Sequence, residues 1–174
     1  MVGTQADDSQ ATACPARPRE DARRDGHRGP RLTLYLDSSA LVKLLITEVG
    51  SDQVESAAAA ARSLASSRIA QVESRAALAR AHALGRLSAA DRRRSLDILG
   101  RIWRDLQVSE FDEALSEDAG ALVERHVLRG MDAIHLASAL DLRRATSEPL
   151  GFATFDARLA AAAAREGLTV VPPP

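Results

Sequence analysis

Cysteine occurs once in the 174 residues, as Cys14, so neither an intrachain disulfide nor a cysteine-built metal cluster is open to this chain. Lysine is as scarce: Lys43 is the only one among 23 basic residues. That Arg and Ala bias is typical of GC-rich coding, and no function follows from it. No apolar stretch reaches the ~18 uninterrupted residues of a membrane span, and the N-terminus has no stretch of signal-peptide type. These absences lead to the expectation of a soluble, cytoplasmic protein. Net charge is only −1, so overall charge does not mark a nucleic-acid binder, and any such contact must be local. No internal repeat of roughly 20–50 residues is present. The first strand candidate is not followed by G-x-G-x-x-G, and no G-x-x-x-x-G-K occurs, which leaves nucleotide-cofactor readings unsupported.

What remains is an ordinary globular composition, 45% apolar and 27% charged, in a chain long enough for one domain with a real core. Residues 1–30 carry almost no large apolar side chain and cannot bury enough surface to offset their ordering entropy. They read as a disordered N-terminal extension or an over-long start, and 31–174 as the folded domain.

From Leu32 onward strand and helix patterns alternate. LTLYL (32–36) reads as a buried strand and SSALVKLLI (38–46) as a helix. An Ala-rich helix is expected over 51–62, a weak strand at SLASS (63–67), and a helix over 69–84 with apolar Ile69, Val72, Ala76, Leu78 and Ala79. Ser88 and Asp91 have the spacing of a capping box, ahead of a stripe of Leu96, Leu99, Ile102, Trp103 and Leu106. LQVSEF is a strand candidate, followed by a helix over 112–128. Gly130 reads as a break before a helix starting at Asp132. LGFATF, a helix over 156–166 and LTVV complete the pattern. Such alternation implies a parallel sheet with helices on both faces, and ligands of these sheets bind beyond the carboxyl ends of the strands.

That rule singles out Asp37, at the end of the first strand, and Asp156, just past LGFATF. Taken singly, Asp37, Asp132 and Asp156 each read as helix caps, and Glu73 as a solvated helix position beside an apolar face. Together they place two carboxylates at strand ends and two on helices able to lean over the same edge. An oxygen-only set without His or Cys suits a hard cation, Mg²⁺ or Mn²⁺. Without one, the carboxylates would repel one another and some would protonate.

YLDSSALVKLL, Glu73 in SRIAQVESRAALARA, RGMDAIHLASAL and FATFDARLAAAA together resemble the four signature stretches of PIN-domain ribonucleases, in particular VapC-type toxins of toxin–antitoxin pairs. The resemblance spans 32–172 in order. It implies a three-layer α/β/α sandwich around a short parallel sheet. It also implies that Asp37, Glu73, Asp132 and Asp156 hold Mg²⁺ or Mn²⁺ for hydrolysis of RNA phosphodiesters. Thr154 matches a family hydroxyl position, and Ser38 is a weaker candidate of the same kind. The implied partners are an RNA substrate, a second copy of the chain and an antitoxin that docks across the site with a basic side chain. The 51–62 helix and the 96–106 stripe are expected to leave surplus apolar surface for such interfaces.

Other features keep plainer readings. His135 is expected to be an interior histidine bonded to backbone, Arg92–Arg94 a solvated face, and Trp103 core or dimer interface. Two competing functions fit less well. Aspartyl-phosphate chemistry needs a second acid two residues after the first, where Ser39 stands, and a non-catalytic PIN-like module would tolerate loss of an acid, whereas all four are present.

Overall fold

The computed structural model describes residues 32–172, so the expected N-terminal extension lies outside the described residues. Twelve elements follow in the order β1 (Thr33–Leu36), α1 (Ser38–Lys43), α2 (Ser51–Ala60), β2 (Ser63–Ser67), α3 (Arg68–Ala83), α4 (Ala89–Asp105), β3 (Gln107–Ser109), α5 (Glu113–His126), α6 (Gly130–Thr146), β4 (Leu150–Ala153), α7 (Ala157–Arg165) and β5 (Thr169–Val171). The sheet has five strands in the order β3-β2-β1-β4-β5, all parallel. This is the parallel sheet expected from the pattern and the three-layer α/β/α sandwich that the resemblance implies.

β1 and β4 are buried at every position, as central strands covered on both faces must be. Alternation along β1 divides the core in two. Tyr35 faces one side with Phe152, Leu136 and Leu159, under α5, α6 and α7. Leu34 and Leu36 face the other, with Leu41, Val54, Leu78 and Leu99, under α1 to α4. The chain builds outward from β1 to β2 and β3, then returns to lay β4 on the other side of β1. The order therefore reverses between β1 and β4, which opens a crevice at their carboxyl ends.

Several expectations are corrected. α1 ends at Lys43, and Leu44–Ile46 form a turn whose Ile46 carbonyl accepts from Ser51 Oγ at 3.1 Å. α2 stops at Ala60, because Arg62 N turns away to Leu32 O at 3.0 Å. Of the apolar positions expected on α3 only Leu78 is fully buried, in a stripe with Ala70 and Ser74, and Val72 is 69% exposed. Small side chains on that face let α3 lie close to its neighbours, and Glu73 flanks this face one step round the helix. Gly130 does not break a helix but is the first residue of α6, with Arg129 as N-cap, so Asp132 lies inside the first turn instead of capping it. The Leu96–Leu106 stripe is spent inside the chain: Leu99 is buried, and Leu96, Ile102 and Trp103 pack on the core beneath α1 to α4. Ser88 does cap α4, accepting from Asp91 N at 3.1 Å, but the Asp91 carboxylate accepts from the Ser88 hydroxyl, at 2.6 Å, in place of the backbone N–H of a full box. Among the described residues, no helix is long and apolar enough to cross a membrane.

Gly50 shows how the α1–α2 connection is fixed to the crevice. It is left-handed, φ +93°, and a Cβ there would lie 2.5 Å from Phe155 Cε1. Gly50→Ala should therefore cost about 1–3 kcal/mol. Gly100→Ala, in mid-α4 where an added Cβ meets nothing within 4 Å, should add ~0.5–1 kcal/mol. Denaturant melts of the two variants should move in opposite directions, and a neutral Gly50→Ala would contradict the left-handed placement.

Candidate active site

Asp37 follows β1 directly, and its backbone N donates to Ala153 O of β4 at 3.1 Å, which pins the two strand ends together. The side chain is 4% exposed. It caps α1 through Oδ1, which accepts from Ala40 N at 2.8 Å and from Ser39 Oγ at 2.7 Å. Oδ2 accepts from Thr154 Oγ1 at 2.6 Å. The capping and site readings of Asp37 are thus both realised, by different oxygens of one carboxylate. Burial pushes its pKa up, opposed by His135 and by the Thr154, Ala40 and Ser39 donors. Three hydrogen bonds to the charged form do not outweigh the lost solvation.

Thr154 is buried just beyond β4, and its N donates to Val171 O at 3.1 Å. While donating to Asp37, its hydroxyl accepts from Asp156 N at 3.1 Å, so one Thr spans two of the candidate acids. Asp156 caps α7, with Oδ1 accepting from Arg158 N and Leu159 N, both at 2.9 Å. Asp132 projects from the first turn of α6 and is half-buried. Its pKa is raised by burial and by the charges of Asp156 and Asp37, while Arg129 and His135 pull it down. Asp37, Asp132 and Asp156 therefore share one electrostatic neighbourhood at the reversal of strand order.

Glu73 reaches this edge from α3 on the opposite layer, and its Oε2 meets His135 Nε2 at 2.8 Å. Here a reading is corrected: His135 is buried but bonded to side chains, not backbone, with Tyr35 OH on Nδ1 at 3.1 Å. Ser38 is half-buried and lines a shallow groove with Ser39, Glu73 and Phe155, whereas the serine that donates to Asp37 is Ser39, which also accepts from Phe155 N at 2.9 Å. Ser39, His135 and Tyr35 are thus the site residues that sequence reasoning passed over. The spacing of His135, one turn after Asp132 on α6, was the available signal for the histidine.

The donor set can be tested against a divalent ion. All four candidates are carboxylates, the hard oxygens such ions take, and Asp132 bears the like-charge penalty that a cation would remove. Among the described residues, no three His, Cys, Asp or Glu side chains close on a single point tightly enough to clasp an ion. Instead each of Asp37, Asp156 and Glu73 is engaged by protein donors. The chemistry fits the group.

A parallel sheet between two helical layers, with carboxylates gathered where its strand order reverses, defines an α/β/α domain with an acidic pocket at the strand ends. The chain belongs to the PIN domain family, in its VapC branch: the family model for the PIN domain matches residues 34–165. It is 39% identical over 144 residues to Ribonuclease VapC45 of Mycobacterium tuberculosis, covering 80% of this chain and 94% of that protein. Among solved structures it is similar in fold to M. tuberculosis VapC20, a Sarcin-Ricin loop cleaving toxin, with TM-score 0.57, 16% identity, and 80% and 99% of the two chains covered. The fold is also similar to a chain of VapBC2 from Rickettsia felis, crystallised on a DNA fragment from its promoter, with TM-score 0.54, 15% identity, and 80% and 97% covered.

The raised Asp132 pKa has a consequence for stability. An acid whose folded pKa exceeds its unfolded value costs stability in its charged form. That cost is fully present above the folded pKa and vanishes as pH falls to the unfolded value. In chelator, Asp132→Asn should therefore melt at a higher temperature than the parent at pH 8, and the gap should narrow by pH 4. A gap of opposite sign at pH 8 would contradict the crowding of these acids.

Proposed function

We propose that this chain is a ribonuclease toxin of a toxin–antitoxin pair, cleaving RNA phosphodiesters with a divalent cation, Mg²⁺ or Mn²⁺, held by Asp37, Glu73, Asp132 and Asp156. The observation that carries this reading is the placement of Asp37 and Asp156, bridged by Thr154, with Asp132 in the first turn of α6, at the switch point between β1 and β4. When bound there, the ion supplies charge neutralisation for the phosphate oxygens and acidifies a water.

The chain's own residues supply the rest. Asp37 is held at both oxygens by Ser39, Ala40 and Thr154 and gives the pocket a fixed negative floor. Thr154 keeps Asp156 in register with Asp37. Asp132 is the least constrained of the three strand-edge acids. No hydrogen-bond donor engages its carboxylate among the described residues, so it is free to accept a hydrogen bond from the water that attacks phosphorus in line as the ribose 3′-oxygen departs. Arg129 at the mouth of the pocket offers a cation to the RNA backbone.

The aspartyl-phosphate alternative loses ground at Ser39. Its hydroxyl donates to Asp37 Oδ1, where that chemistry would place a second acid. An antitoxin would present a guanidinium to the acids, which attract it as they attract a divalent ion. The working form is a cytoplasmic homodimer. The apolar surface available for contacts is Val49, Val72, Leu84, Phe111, Val127 and Met131 rather than the α4 stripe.

Asp37→Asn should abolish Mn²⁺ binding by calorimetry and RNA cleavage together while leaving a cooperative melt, because Asn still caps a helix. Undiminished cleavage by Asp37→Asn would remove Asp37 from the mechanism. In cells, expression of the parent alone should arrest growth and co-expression of its antitoxin should relieve it; harmless solo expression would speak against the toxin.

A further inference from the structure

Tyr35, His135 and Glu73 form a buried chain of side chains that the four-acid account does not use. Tyr35 is fully buried in β1, stacked on Phe152 with ring centroids 5.4 Å apart and an interplanar angle of 6°. Its ring meets His135 edge-on at 6.0 Å, and its hydroxyl lies 3.1 Å from His135 Nδ1. A phenol is a hydroxyl donor, and this one lies within hydrogen-bond reach of the ring nitrogen. With Nδ1 facing the phenol, the ring turns Nε2 towards the carboxylate, where an Nε2–H donates to Glu73 Oε2 at 2.8 Å. His135 is itself 2% exposed, and packing from both neighbours holds the ring in place.

The link has an architectural consequence. Tyr35 belongs to the central strand, His135 to α6 on one layer and Glu73 to α3 on the other. The His135–Glu73 bond therefore crosses the carboxyl edge of the sheet and ties the layers together at the pocket. Glu73 is half-buried, and among the described residues its Oε1 has no hydrogen-bond partner. A free glutamate on a helix surface would sample many rotamers, whereas this one has one oxygen fixed and the other available.

We propose that Tyr35 and His135 are positioning residues for Glu73: the phenol braces the imidazole at Nδ1, and Nε2–H fixes Oε2 so that Oε1 is presented to the acid pocket. Outer partners of this kind orient ligating carboxylates, and their loss lowers metal affinity by about 10–100-fold. The inference rests on Glu73 being part of a cation-holding site.

The test is calorimetric titration with Mn²⁺ of the full chain and its variants, each checked for a cooperative melt. His135→Phe should weaken Mn²⁺ binding by about 10–100-fold. His135→Gln, whose amide can donate from the place of Nε2, should recover most of that loss. Tyr35→Phe keeps the stacked ring but loses the hydroxyl, and should weaken binding several-fold with little change in melting. In a Glu73→Gln background, His135→Phe should have no further effect, since the two act as one unit. A folded His135→Phe with parental affinity would overturn the proposal, as would equal losses in the Phe and Gln variants. If His135→Phe fails to fold, unchanged Mn²⁺ affinity in Tyr35→Phe overturns it instead. A parent that binds no Mn²⁺ overturns the site reading itself, whereas a binding parent with an indifferent His135 overturns this inference alone.

Discussion

A carboxylate buried at the end of the central strand is the constraint on which the rest of this structure depends. Asp37 has lost nearly all contact with water, and an isolated buried charge costs far more than a small domain can spare. Its environment is the compensation: a helix N-terminus at one oxygen, the Thr154 hydroxyl at the other, and Ser39 between Asp37 and the Phe155 backbone. These bonds join β1 to the segment after β4, so the acid that strains the core also locks the two strand ends whose separation defines the crevice. Its pKa remains raised, so the compensation is incomplete. An acid kept under this pressure is stabilised by whatever cation or donor approaches it, and a functional site is where such a residual cost is tolerated.

The surrounding architecture extends that logic. Parallel strands buried on both faces leave their backbone groups paired and only their carboxyl ends open for chemistry. α7 begins at Asp156 and α6 carries Asp132 in its first turn, so two helix N-termini point their positive ends at this edge. They offset part of the negative charge gathered there. α3 completes the ring from the other layer, with Glu73 held by His135 rather than left to solvent.

How much of this was readable from the chain depends on distance along it. β1, β4 and the acids that follow them were legible because a continuous apolar run stopping at Asp is a local signal. SLASS was legible only as a weak strand, since its small residues carry little hydrophobic pattern, yet it lies between β1 and β3. Glu73 was placed beside a buried face of which only Leu78 was foreseen: Ala70 and Ser74, which complete it, are too small to carry a hydrophobic pattern. Asp132 was misplaced as a cap because Gly130 was read as a breaker, whereas a glycine at the first helical position gives up no interior contact. Tyr35 and His135 are 100 residues apart and Asp37 and Thr154 are 117 apart. Hydrogen bonds over such separations leave no periodicity, so Thr154 was found only through the family resemblance and the Tyr35–His135 link was not found at all.

The account stands or falls on whether this acidic pocket hydrolyses RNA through a divalent ion. The direct measurement is cleavage of RNA by purified protein, first in excess chelator and then with Mg²⁺ or Mn²⁺ restored in excess. Cleavage should stop in chelator and return with the ion, while the fold persists in both conditions. Cleavage that continues at an undiminished rate in chelator would contradict the account, because four crowded carboxylates would then have no cation to hold.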